Sequence, residues 1–167
     1  MADLSDIAAL LAAFGFGSLG AAALGRAREQ RGARAAVLGA LHEVERRRWY
    51  DPDGEPFLAA AIELQAAALV ARVPRRVVDG YVVAARAAYW LSRDNWEERG
   101  GVDEFAAGIS SDVADVVRTM SRVVADAIWR PAWGRFSARR SLRQVEASVA
   151  ALPEKHARRF EASRKYG

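Results

Sequence analysis

The chain has 167 residues, of which 51% are hydrophobic and 28% charged. That length suits one domain, and the apolar content excludes a disordered tail protein. The absence of cysteine excludes a disulfide scaffold, a thiolate zinc site and a cysteine nucleophile, while the net charge of +4 hides a strong pattern. Residues 1–25 carry only Asp3 and Asp6, residues 26–48 sum to +4, residues 49–129 to −5 and residues 130–167 to +7. Two basic blocks therefore flank an acidic middle.

In chain order, the first element is residues 7–25, a stretch with no charge and one hydroxyl, Ser18. A helix needs about 20 apolar residues to cross a bilayer. The stretch is expected to be a single transmembrane helix, with residues 1–25 as the anchor. An acidic N-terminus argues against a signal peptide, which needs a basic start. A buried core helix is the competing reading. Arg26, Arg28, Arg31 and Arg34 follow at once. By the positive-inside rule they would hold the rest of the chain in the cytoplasm, with the short N-terminus outside the inner membrane. Small residues recur every four positions, and Ala13, Gly17, Ala21 and Gly25 form a ridge suited to close helix packing, on another membrane protein or on a second copy.

The remainder, residues 26–152, reads as a four- to five-helix antiparallel bundle followed by a basic tail over 153–167. Apolar residues recur at three and four, with no sustained alternation. The first bundle helix is expected to run to about Tyr50, with Val37, Leu38, Leu41 and Val44 on one stripe and Glu43 paired to Arg47. Asp51 to Pro56 breaks it. A second helix runs to about Arg72, with Leu58, Ala61, Ile62, Gln65, Ala68 and Leu69 on one face. Val73-Pro74 makes a tight junction. A third runs to about Trp96, with Val77, Val78, Tyr81, Val82, Ala85, Ala88 and Tyr89 inward and Gly80 as a weak point. Residues 97–108 read as a loop. Ser110 or Ser111 caps a fourth helix with the cleanest stripe in the chain: Val113, Val116, Val117, Met120, Val123, Val124, Ala127 and Ile128. Pro131 ends it. A fifth runs from about Ser137 to Leu152, and the tail is expected to fray around one turn at Phe160.

The up-and-down path returns the end of the fourth helix to the level of the anchor. There Trp129, Arg130, Trp133, Arg135, Arg139, Arg140 and Arg143 interleave rings with guanidinium groups. That composition suits a lipid headgroup interface, or else the tryptophans cap the core and the arginines are solvated.

No catalytic, cofactor or metal motif is present. His42-x-x-Glu45 is a weak metal pair, and Asp51 to Glu55 lacks the ligands of a calcium loop. Glu63, Gln65 and Asp79 are polar groups within apolar helices, with nothing in the sequence to bring them together.

An apolar segment rich in Ala and Gly at 7–25, the Arg26–Arg48 helix and the basic Trp129–Arg143 stretch resemble the layout of small membrane-anchored helical proteins of high-GC bacteria and their phages. The resemblance implies that architecture and no activity. The leading expectation is a single-pass inner-membrane protein whose cytoplasmic bundle acts by contact, as a scaffold or modulator, with the bilayer, a membrane protein or itself as partner. The alternative is a soluble helical protein that binds nucleic acid through Arg135, Arg139, Arg140, Arg143, Arg158, Arg159 and Arg164. No enzymatic role and no cofactor is expected.

Overall fold

The computed structural model describes residues 16–50, 53–100 and 108–165, and every element within them is an α-helix. These are α1 (Phe16–Tyr50), α2 (Gly54–Val70), α3 (Arg75–Glu98), α4 (Ser111–Trp129), α5 (Pro131–Ala150) and α6 (Glu154–Lys165).

The core follows from two strongly amphipathic helices. All eight residues of the α4 stripe are buried. So are the inward residues expected of α3, with Tyr81 and Tyr89 fully enclosed. Phe57 of α2 stacks on Tyr89 with ring centroids 4.8 Å apart and the planes 5° from parallel. From α1, Val37, Leu41 and Val44 complete the cluster.

Neighbouring helices run antiparallel, and individual contacts fix their levels. Tyr89 lies against Gly54 and Gln65 bonds Asp79, so α2 and α3 run in opposite directions. Asn95 Nδ2 donates to the Gly108 carbonyl at 2.7 Å, while a Cβ at Gly80 would meet both Met120 and Leu142. Those contacts set α4 antiparallel to α3 and place α5 over their crossing. Tyr81 reaches Glu45, and α1, three residues from α2 in sequence and packed along it, runs in the same direction as α3. From Leu24 on, Val37 is the first buried residue of α1. The helix from Leu24 to Ala36 before it runs exposed or half-buried past the end of the bundle, about 20 Å at 1.5 Å per residue.

The helix ends have local causes. Asp53 caps α2 by accepting from the Glu55 amide. At its other end Arg72 N–H donates to the Leu69 carbonyl at 3.1 Å and Val73 N–H to the Ala68 carbonyl at 2.9 Å. That pair of bonds is a Schellman motif, and it puts Arg72 in the left-handed region at φ 58.

Several expectations change. The single-pass membrane reading is overturned: among the described residues no helix is long and apolar enough to cross a membrane. The apolar run at the start of α1 is part of one helix that meets Arg26, Arg28, Glu29 and Arg31 too soon. Inner-membrane placement by that helix falls with it. The part of the expected span before Phe16, with Ala13, lies outside the described residues. In α2 the buried face is Phe57, Ala60, Ala61, Leu64 and Ala68, which leaves Ile62 and Leu69 exposed. Pro131 ends α4 and also opens α5 as its first residue, where a missing N–H costs nothing. The C-terminal stretch forms α6, docked on α3 with Phe160 buried.

Candidate functional site

The topology gathers charge. The α2–α3 junction, the α4–α5 junction and the projecting part of α1 all lie at one end of the bundle. That end carries Arg34, Arg72, Arg75, Arg76 and Arg130, while the α1 projection adds Arg26, Arg28 and Arg31. The opposite end carries Asp53, Glu55, Glu97, Glu98, Asp112, Asp115 and Glu154, four of them ion-paired to Arg93, Lys155, Arg118 and Arg158 at the same end.

The basic side chains fall into two groups. One group is held by carboxylates. Arg46 and Arg47 both bond Glu43, at 2.6 and 2.8 Å. Together they hold the Glu43 carboxyl down at about 2. Arg93 pairs with Glu97, Arg118 with Asp115, Arg158 with Glu154 and Lys155 with Glu98. Arg159 makes a two-pronged contact with Asp94 at 2.7 and 2.9 Å. The other group makes no ion pair among the described residues and is exposed. It comprises Arg139, Arg140 and Arg143 on the outer face of α5, Arg72, Arg76 and Arg130 at the basic end, Arg26, Arg28 and Arg31 on α1, and Arg99, Arg122, Arg164 and Lys165 elsewhere.

The sequence-expected patch is therefore split. Arg159 serves the packing of α6 on α3 and Arg158 is held by Glu154 within α6, whereas Arg139, Arg140 and Arg143 stand free among the described residues. On α5, Ala138, Leu142, Val145 and Val149 turn toward the core. Arg139 and Arg143 lie one turn apart on the other side, and Arg140 is three residues from Arg143. Trp129 is 64% exposed, so it does not cap the core. Trp133 and Arg135 fall in the first turns of α5, with their side chains outside the described residues. Gly25 is exposed, with open space around it; the backbones of Gly17 and Ala21 lie in α1, with nothing described of their surroundings.

Sequence reasoning missed Arg72 and Arg76, because only the fold brings them to the level of Arg130. Arg76 sits in the first turn of α3, which contains no acidic residue. A cation there opposes the helix dipole, and unlike Arg75, which is bonded to Asp79 at 3.2 Å, it has no carboxylate to offset this. An anion at this end would be drawn by both.

The polar residues considered for chemistry are otherwise engaged. Glu45 accepts from Tyr81 Oη at 2.7 Å and from Arg48 Nη2 at 2.6 Å, and His42 is exposed beside it. Arg48 is itself buried, with its guanidinium against the Trp49 ring. Burial, reinforced by the Glu45 charge, pushes the Tyr81 hydroxyl above its ordinary range. Asp79 bonds Gln65 and Arg75, and Glu63 is exposed elsewhere on α2. A shallow groove of about 340 Å³ between α4 and α5 is lined by Asp112, Asp115, Thr119, Gln144 and Ser148.

Comparison with family models, with curated proteins and with solved structures gives no match.

Proposed function

We propose that this helical bundle binds the phosphate backbone of nucleic acid through the outer face of α5 and the adjoining basic end, acting by contact and without catalysis. The observation that carries this reading is the state of Arg139, Arg140 and Arg143: exposed, clustered on one helix face and without a carboxylate partner among the described residues, whereas Arg93, Arg118 and Arg159 are held by carboxylates. Arginine suits the task because its planar fork meets phosphate oxygens with two parallel hydrogen bonds. Phosphate contacts set position and affinity and carry no sequence information, so binding is expected to be tolerant of sequence.

The test is fluorescence anisotropy with a labelled 20-base-pair duplex at salt concentrations from 50 to 200 mM. Each neutralised phosphate contributes a slope of about −0.9 to log affinity against log salt. The R139Q/R140Q/R143Q variant is expected to flatten that slope by about 3 and to leave the helical circular dichroism unchanged. Absence of binding at 50 mM salt, or an unchanged slope in the variant, refutes the reading.

A further inference from the structure

Past the end of the bundle, α1 runs without a close neighbour among the described residues. From Leu24 to Arg34 its residues are exposed, apart from Ala27, Ala33 and Arg34, which are half-buried. A Cβ added at Gly25 or Gly32 would meet nothing within 4 Å. Arg26, Arg28, Arg31 and Arg34 make no ion pair among the described residues, and Glu29 is the one acid between them. At 3.6 residues per turn, Arg26 and Arg28 bound about half of the helix surface. Gln30, Arg34, Ala27 and Arg31 fall between them, while Glu29 and the two glycines fall on the far side. Arg26, Gln30 and Arg34 also continue the ridge of Val37, Leu41 and Val44 at spacings of three and four. The basic face therefore looks over the end of the bundle that carries Arg72, Arg76 and Arg130.

A free-standing helix with cations along both edges of one face fits a cleft that has phosphates on both walls. The major groove of B-form DNA is such a cleft. It is about 12 Å wide, and a helix with its side chains is about 10–12 Å across. Ala27, at the centre of the basic face, lets the backbone approach the floor of the groove. Arg34 lies one turn before Val37, where the bundle ends, and Arg26 stands about 12 Å farther out, at 1.5 Å per residue. A duplex laid across the basic end therefore meets the projection and the junction arginines together. Other nucleic acids fit less well. A single strand brings one backbone, which serves one edge of the helix only. An RNA duplex has a deep, narrow major groove that side chains cannot read.

We infer that the ligand is double-stranded DNA and that α1 between Leu24 and Arg34 lies in its major groove, with Arg26 and Arg28 on the phosphates that border the groove and Arg72, Arg76 and Arg130 on the backbone beside it. This deepens the nucleic-acid reading above and rests on it. The test is fluorescence anisotropy of the full chain with 20-base-pair DNA and RNA duplexes of one sequence at about 100 mM salt. The wild type is expected to bind the DNA at least tenfold more tightly than the RNA. R26Q/R28Q/R31Q is expected to lose at least tenfold in DNA affinity and to bring the two duplexes within about threefold of each other. All three side chains are exposed and unpaired among the described residues, so the variant keeps the wild-type circular dichroism. R122Q/R164Q/K165Q removes the same charge from exposed positions elsewhere and is expected to keep the preference for DNA. Guanine N7 faces the major groove. Its methylation by dimethyl sulfate is expected to fall in DNA saturated with the wild type and to recover at equal occupancy with R26Q/R28Q/R31Q. If neither duplex binds at 50 mM salt, the nucleic-acid reading falls and this inference with it. If both duplexes bind but without a preference for DNA, this inference alone falls and phosphate binding by α5 stands. A preference that survives R26Q/R28Q/R31Q, one lost equally in R122Q/R164Q/K165Q, or guanine N7 left unprotected has the same consequence.

Discussion

Arg72 occupies a backbone position that glycine fills at most helix ends of this kind, with φ 58. A side chain in the left-handed region costs about 1–2 kcal/mol. Arg72→Gly removes that strain, offset in part by the greater freedom of glycine in the unfolded chain. Chemical denaturation is expected to show a gain of up to about 1 kcal/mol, together with weaker duplex binding, because an exposed cation of the basic end is lost. Such an opposition of stability and binding would mark Arg72 as retained for contact. Glu43 illustrates the other use of arginine. Its folded pKa, lowered to about 2 by Arg46 and Arg47, lies below the ordinary 4.5, so it favours the fold above pH 4.5 and that contribution disappears as pH falls through 2. Carboxyl NMR of the protein is expected to show Glu43 titrating near 2, and R46A/R47A to return it toward 4.5. Gly80 lies where α3, α4 and α5 cross. An added Cβ there would sit 2.8 Å from Met120 Cε and 3.4 Å from Leu142 Cδ2. The Met120 tip can swing aside, and alanine gains about 1 kcal/mol of helix propensity. Gly80→Ala is therefore expected to fall within about 1 kcal/mol of wild type, while Gly80→Leu overpacks the crossing and costs about 1–3 kcal/mol. Equal stability of the two variants would show that the crossing is loose.

At the scale of the element, legibility in the sequence tracked amphipathic contrast. The stripes of α3 and α4 could be read residue by residue because each is polar on its far side. The α2 face could not, since Ala and Leu surround that helix and periodicity has nothing to choose between; the stack of Phe57 on Tyr89 decides it. The α6 helix was hidden for a different reason. It contributes one large apolar residue, Phe160, and is otherwise held by Lys155 on Glu98 and Arg159 on Asp94, partners 57 and 65 residues away. Local pattern carries no trace of such pairs, and without them the stretch looks like a solvated basic tail. One of these pairs explains why the candidate site was only partly legible: Arg139, Arg140 and Arg143 could be named, but the removal of Arg159 from the patch follows from its tertiary contact with Asp94, whereas Arg158 is held by Glu154 one turn away. Phe160 is 3% exposed, so Phe160→Ala is expected to cost about 3–5 kcal/mol if α6 is an integral part of the cooperative unit. A loss below about 1 kcal/mol in denaturant unfolding would show instead that α6 undocks independently.

At the scale of the whole molecule, the up-and-down path brings Arg72 and Arg76 of the acidic middle to the level of Arg130 and of the α1 arginines, making one charged end. The junction arginines Arg72, Arg76 and Arg130 come from different blocks of sequence, and α2, α3 and α4, with 17, 24 and 19 residues, hold them about 25–35 Å from Glu55 and Asp112 at the other end. That separation exceeds the Debye length of about 10 Å at 0.1 M salt, so the two ends act on a polyanion almost independently. Position and total charge can then be told apart. R72Q/R76Q/R130Q is expected to flatten the salt dependence of duplex binding by up to about 3, one phosphate contact per arginine removed. E55Q/D112N makes the net charge more positive at the far end and is expected to leave affinity within about twofold of wild type. If affinity instead followed net charge in both variants, binding would be a diffuse attraction to the whole bundle. Neither the basic end nor the α5 face would then constitute a site. The opposite pattern, a flattened slope in the first variant alone, would locate the contact where the fold has assembled arginines that no carboxylate claims.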